Sequence, residues 1–123
     1  MHAPYQHPDT LEFLKRIQRV YSLDRWICLG DEVDYHAVSF HDNDVELFSA
    51  GHELNEAKAF HQELCKIFPD LDILESNHGS LVFRKAKHHG IPVSVLKSYN
   101  EILGVPDTWQ WHFDMTISLS NNM

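Results

Sequence analysis

The sequence predicts an α/β domain in which a mostly parallel sheet carries flanking helices. Three observations support this fold class. Short apolar runs alternate with longer amphipathic segments, a polar motif follows each of two apolar runs, and no repeat or linker divides the 123 residues. Strands that are separated by helices pair in parallel through crossover connections. The length predicts one domain, residues 1–123.

The first third of the chain predicts a helix, a strand and a loop. Asp9 or Thr10 can cap a helix that ends near Val20, because apolar side chains recur there at three-residue spacing. The short apolar run at 25–29 is typical of a buried strand. Residues 34–44 are polar and rich in histidine, which predicts a loop with one helical turn.

The longest helix is predicted over 49–68, where apolar side chains line one face before a proline ends it. Four further elements follow: a strand over 70–74, helices over 79–89 and 98–103, and a strand over 111–119. The final strand would carry five apolar side chains on one face, namely Trp111, Phe113, Met115, Ile117 and Leu119. Such a face needs a partner layer, so the isolated chain is predicted to self-associate or to be marginally stable.

Composition narrows the class of function. The formal net charge of −8 argues against electrostatic binding of long nucleic acids. A bound cation could still make the local charge positive at a phosphate site. Cys28 and Cys65 are far apart in apolar settings, which predicts free thiols in a reducing compartment. No apolar run approaches the ~20 residues that span a bilayer. We therefore expect a cytoplasmic protein without membrane partners.

Two short polar motifs carry most of the functional information. GDEVD at 30–34 and SNHG at 76–79 each come just after a predicted strand. The carboxyl ends of parallel strands meet at one edge of a sheet, so Asp31, Asn77 and His78 should converge there. Carboxylate, amide and imidazole ligands suit a divalent metal and its activated water. The alternative is that these residues only end the strands and cap the local backbone.

The two motifs resemble signature elements of the calcineurin-like metallophosphoesterases, whose pattern is D-x-H, GDxxD, GNH with Asp or Glu, and a later GHxH. GDEVD matches the second element fully. SNHG matches the third in part, with Ser76 in place of glycine and Gly79 in place of the acidic residue. The opening MHAPY looks like the end of D-x-H, with His2 as the motif histidine. The stretch at 34–42 is similar to a phage and bacterial branch of the family.

The resemblance implies a partial metallophosphoesterase-type fold and a site for two divalent metal ions, either Mn, Mg, Fe or Zn. Asp31 would bridge the metals, and His2 and Asn77 would each ligate one of them. His78 would act as the catalytic residue, stabilising developing charge or protonating the leaving oxygen. Asp34 would orient the loop. The implied substrate is a phosphate mono- or diester: a nucleotide, a phosphoprotein or a nucleic-acid end.

Arg84 or the adjacent Lys85 could contact a substrate phosphate, and an exposed helix face is the alternative for both. His36 and His41 are expected in a hydrated loop, and the histidines at 88–89 are expected to interact with a helix dipole.

The chain also departs from the family pattern. No aspartate precedes His2 at the expected position, and no GHxH follows the third motif. The sequence therefore looks like a family member clipped at both ends. The alternative function is an inactive remnant that acts, if at all, as a binding module.

Overall fold

A computed structural model describes residues 1–42 and 44–117. Its sheet has three strands in the order β1-β2-β3, and both pairs are parallel. The strands are β1 (Ile27–Cys28), β2 (Leu71–Leu74) and β3 (Trp109–His112). β2 lies in the centre, because it pairs with both neighbours. The predicted α/β class with a parallel sheet is confirmed.

The helices fall where the apolar spacing predicts them. α2 connects β1 to β2, and α1 and α4 both pack against α2. A 3-10 turn at His36–Val38 confirms the single helical turn expected in the polar loop. A second 3-10 turn lies at Val93–Val95. The α-helices are α1 (Thr10–Tyr21), α2 (Ala50–Ile67), α3 (Leu81–His88) and α4 (Tyr99–Leu103).

The last strand differs from its prediction. It begins two residues earlier than the expected 111–119 and ends at His112, so the prediction of one continuous alternating strand is wrong. The reason is the length of its partner: Leu74, the last residue of β2, pairs with His112. Beyond His112, β3 has no further residue of β2 to pair with, and Phe113 is 89% exposed. Leu119 lies outside the described residues.

The core includes large buried side chains from α2, β2, α4 and β3. Leu64 of α2, Ile73 of β2, Leu103 of α4 and Trp109 of β3 are all buried in one cluster. The Trp109 indole N–H donates to the carbonyl of Phe68 at 2.8 Å, so its polar edge is satisfied inside the core. Burying each such side chain contributes about 1.5–3 kcal/mol. This cluster fixes the sheet against the long helix.

A capping box starts α4. The Ser98 N–H donates to Glu101 Oε2 at 2.9 Å, and the Glu101 N–H donates back to Ser98 Oγ at 3.3 Å. We expect Ser98→Ala to lower the free energy of unfolding by about 1 kcal/mol in urea melts, because a backbone donor of the first turn loses its partner. Ser94→Ala, at an exposed serine in the second 3-10 turn, is the matched control and should change stability by under about 0.5 kcal/mol. Equal effects of the two changes would contradict the capping role.

Two further expectations concern cysteines and membranes. Cys28 and Cys65 are free thiols, as predicted. Burial is the main cause that raises the pKa of each thiol above its usual value. Among residues 1–42 and 44–117, no helix combines the length and the apolar character that crossing a bilayer would require.

Candidate metal centre

A serine hydroxyl joins the two motifs. We call residues 30–34 the GDxxD loop and residues 76–79 the SNHG turn. Ser76 Oγ accepts a hydrogen bond from the Asp31 N–H at 2.9 Å and another from the Gly79 N–H at 3.0 Å. The loop approaches the turn so closely that a Cβ on Gly30 would lie 2.7 Å from Ser76 Cβ. The carboxyl ends of β1 and β2 therefore meet, as the parallel arrangement predicts.

The first residues of the chain run beside the GDxxD loop. Ala3 and Val33 form an isolated parallel bridge, supported by a 3.1 Å hydrogen bond from the Ala3 N–H to the Glu32 carbonyl. The His2 N–H donates to the Asp31 carbonyl at 2.6 Å. This pairing holds His2 next to the aspartates of the loop, although the two segments are about thirty residues apart in sequence.

Four side chains converge at this edge, and we call them the His–Asp cluster: His2, Asp31, Asp34 and His78. A 2.8 Å hydrogen bond joins His2 Nδ1 to Asp34 Oδ1, and His2 Nε2 lies 3.6 Å from Asp31 Oδ2. The rings of His2 and His78 meet edge to face, with centroids 4.8 Å apart. One ligand atom from each of His2, Asp34 and His78 lies within 4.8 Å of the other two.

The hydrogen bonding of His78 determines its tautomer. Its Nδ1 lies 2.7 Å from the backbone carbonyl of Asp34. A carbonyl only accepts, so Nδ1 carries the proton and donates it, which leaves a lone pair on Nε2 of the neutral ring. Histidines that ligate metals commonly donate their other ring N–H to a carbonyl or carboxylate in this way.

The cluster fits a divalent cation in three respects. Asp31 Oδ1 is buried and has no hydrogen-bond partner among the described residues. The 3.6 Å between His2 Nε2 and Asp31 Oδ2 is long for a hydrogen bond, but close to the ~3.4 Å that separates two ligands of one tetrahedral ion. Two imidazoles with two carboxylates also form a donor set that zinc, iron and manganese accept.

Backbone strain is concentrated at the same place. Of the four non-glycine residues with positive φ in the described part of the chain, three belong to this region: His2 at 56°, Asp31 at 51° and Tyr35 at 53°. Left-handed backbone is unfavourable for residues that carry a Cβ, and it persists where surrounding contacts impose it. Such outliers cluster at functional sites, so the strained backbone is consistent with a functional role for this edge of the sheet.

The remaining predicted site residues lie beside the cluster. Asn77 and Arg84 line a cleft of about 390 Å³ together with Asp34 and His78. The Asn77 side chain is exposed, and its carbonyl accepts a 2.8 Å hydrogen bond from Arg84 Nη2. Asp34, which we expected only to orient the loop, instead contacts both histidines. Its spacing of three residues from Asp31 in GDxxD is the signal that both carboxylates belong to one loop.

Glu32 is a site residue that sequence reasoning missed. It is only 1% exposed, and its Oε1 accepts a 3.1 Å hydrogen bond from the Trp111 indole. Burial raises the pKa of Glu32, although the bond from Trp111 opposes the shift. A Cβ on Gly79 would lie 2.6 Å from Glu32 Oε1. The glycine that departs from the family pattern is therefore the residue that makes room for this carboxyl group.

Glu53 of α2 is a second missed residue. It is buried, and its two carboxylate oxygens accept from the N–H groups of His36 at 2.7 Å and Ala37 at 2.9 Å. These bonds attach the 3-10 turn to the long helix. Nothing in the local sequence distinguishes this glutamate from an exposed helix residue, because the contact depends on how the loop folds back.

No family model matches the chain, and no curated protein or solved structure matches it either. The resemblance to metallophosphoesterases therefore depends on the motif residues themselves. The positions of these residues at the ends of β1 and β2 are a separate observation, which does not depend on the resemblance.

Proposed function

We propose that this chain is a metal-dependent phosphoesterase domain that hydrolyses a phosphate ester. The observation that carries the proposal is the convergence of His2, Asp34 and His78, with Asp31 adjacent, from three separate segments of the chain. A structural ion pair alone would not require two histidines and two aspartates, one of them with a buried oxygen that has no described partner.

In this proposal the side chains of the His–Asp cluster hold one or two divalent ions. A bound cation would supply an activated water and neutralise charge on the phosphoryl oxygens. The side chains of the protein have two further roles. The His78 Nδ1–H donates to the Asp34 carbonyl, which leaves Nε2 free to bind the cation or to transfer a proton to the leaving oxygen. Arg84, anchored on the Asn77 carbonyl, contacts the phosphate.

Manganese binding tests the proposal without relying on turnover. We expect the purified chain to bind Mn²⁺ weakly, as measured by electron paramagnetic resonance of the free ion, because few ligands are available. Asp34→Asn keeps the size of the side chain and removes its charge, so it should weaken binding tenfold or more. Asp42→Asn, at an exposed aspartate eight residues along, should leave the affinity unchanged.

Two binding results would contradict the proposal. The first is Mn²⁺ binding that does not change in Asp34→Asn. The second is binding that weakens equally in Asp42→Asn, which would indicate non-specific attraction to an acidic protein. Hydrolysis of an aryl phosphate by the chain alone should be slow, because few ligands are available, and its complete absence would contradict the catalytic part of the proposal. Robust Mn²⁺-dependent turnover that Asp31→Ala abolishes would show that further ligands complete the site.

A binding module without catalysis is the second candidate. Two apolar side chains that line an open cleft beside β3 are exposed, Val93 at 51% and Phe113 at 89%. Neighbouring exposed apolar groups are typical of surfaces that contact another protein or a second copy. Sedimentation over a range of concentrations tests whether the partner is a second copy, since a chain that remains monomeric at high concentration does not self-associate.

A further inference from the structure

The cleft beside the His–Asp cluster has walls of different chemistry. Asp34 and His78 lie at one part of it, Arg84 at another, and Phe40 forms an apolar side. Its volume of about 390 Å³ is within the range of small-molecule sites. A ligand in this cleft would therefore meet metal ligands, a guanidinium group and an aromatic ring at once.

Phe40 is an exposed aromatic ring that neighbouring side chains hold in place. It is 52% exposed although it lies in a polar loop. Lys85 Nζ lies 4.7 Å from the centroid of the ring, and the His88 ring packs edge-on at 5.6 Å. Fixing a ring in advance lowers the entropy lost when a planar ligand stacks on it.

Helix α3 gives this cleft a positive side on an acidic protein. Arg84, Lys85 and Lys87 are three of the ten lysines and arginines in the chain, and they fall within four residues. The helix sequence LVFRKAKH contains no acidic residue. Local positive charge of this kind attracts a small anion, whereas the net charge of −8 opposes a long polyanion.

We infer that the cleft binds a free nucleotide, with its phosphate at Arg84 and the His–Asp cluster and its base stacked on Phe40. The inference rests on the proposed function, whose substrate class it specifies. A phosphate ester without an aromatic group would use only half of the cleft. Base stacking on an aromatic side chain is sequence-tolerant, so either purine should bind.

A matched pair of ligands isolates the stacking contact. Ribose 5-phosphate has a hydroxyl group where AMP has its adenine, and calorimetry measures both with and without Mg²⁺. We expect the wild-type chain to bind AMP about tenfold more tightly than ribose 5-phosphate. Phe40→Leu should remove most of this preference and leave ribose 5-phosphate unaffected. Arg84→Gln should weaken both ligands by a similar factor.

Phe13→Leu is the control, because Phe13 is an exposed ring on α1 away from the cleft. Equal affinity for the two ligands, no measurable binding of AMP, or a preference that survives Phe40→Leu would overturn the inference. Tighter binding of a 5′-phosphorylated tetra-adenylate than of AMP would overturn the assignment to a free nucleotide.

The same samples separate this inference from the proposed function. Mn²⁺ binding that depends on Asp34, without a preference for AMP, would refute the nucleotide site alone. A preference for AMP that depends on Phe40, without Mn²⁺ binding, would refute the phosphoesterase proposal and retain the cleft as a nucleotide-binding site.

Discussion

Replacing Gly30 by alanine is expected to lower the free energy of unfolding by about 3 kcal/mol or more. Two costs combine in this estimate. Gly30 has φ +94°, a conformation that costs residues with a Cβ about 1–3 kcal/mol. The added Cβ would also lie 2.7 Å from Ser76 Cβ and 2.9 Å from the Leu74 carbonyl oxygen, and such overpacking typically costs about 1–3 kcal/mol. Urea unfolding followed by circular dichroism measures the change.

Two other glycines separate these costs. Gly90 has φ +72°, and a Cβ added there would meet no atom within 4 Å, so Gly90→Ala should show only the conformational cost. Gly51 lies in the first turn of α2, and a Cβ added there would meet no atom within 4 Å. Gly51→Ala should therefore stabilise the protein by up to about 1 kcal/mol. If Gly30→Ala cost no more than Gly90→Ala, the close approach of the GDxxD loop to Ser76 would be refuted.

Lowering the pH from 7.5 to 5.0 should remove about 2 kcal/mol of stability through His61 alone. The His61 side chain is fully buried, and its Nδ1–H donates to the Ala57 carbonyl at 2.7 Å. Its Nε2 is buried without a partner among the described residues. Burial lowers the pKa of His61 from 6.5 to about 4.

The direction of the pH effect follows from these two pKa values. The unfolded chain takes up the His61 proton near pH 6.5, whereas the folded chain resists protonation until about pH 4. The contribution is therefore complete above pH 6.5 and is lost as the pH falls from there toward 4. Stopping at pH 5.0 keeps most carboxylates ionised, so their titration contributes little.

His61→Phe tests this prediction, because it keeps an aromatic ring in the core and removes the titration. Wild type should lose about 2 kcal/mol more than the variant between the two pH values, whatever the variant's absolute stability. His52→Phe, at an exposed position of the same helix, should retain the wild-type pH dependence. Equal pH dependence of wild type and His61→Phe would show that His61 is hydrated.

The fold was largely predictable where local patterns determine it. The helical spacing of apolar residues places α1 and α2 within about two residues of their observed bounds. The end of β3 was not predictable in the same way, because a strand continues only while a neighbour offers hydrogen bonds. β2 ends at Leu74, and in the described part of the chain no strand pairs with the alternating apolar residues at 113–117.

The candidate site shows the same division between local and non-local information. The two motifs indicate Asp31 and His78, since residues at the carboxyl ends of adjacent parallel strands are brought together by the topology. The contributions of Ser76 and Glu32 depend on non-local contacts: Ser76 accepts from Asp31, and Glu32 accepts from Trp111 of β3, each pair more than forty residues apart in sequence. A single sequence contains no periodic or spacing signal for such contacts.

The hydroxyl group of Ser76 has a thermodynamic consequence for ligand binding. It accepts hydrogen bonds from the Asp31 N–H and from the Gly79 N–H, so one side chain ties the GDxxD loop to the SNHG turn. Ligands held on independently mobile loops would lose conformational entropy when a cation brought them together. Here two hydrogen bonds to an uncharged hydroxyl group already hold Asp31 against the SNHG turn in the folded chain. The approach of the GDxxD loop to the SNHG turn should therefore depend little on ionic strength, unlike a contact made by attraction between charges.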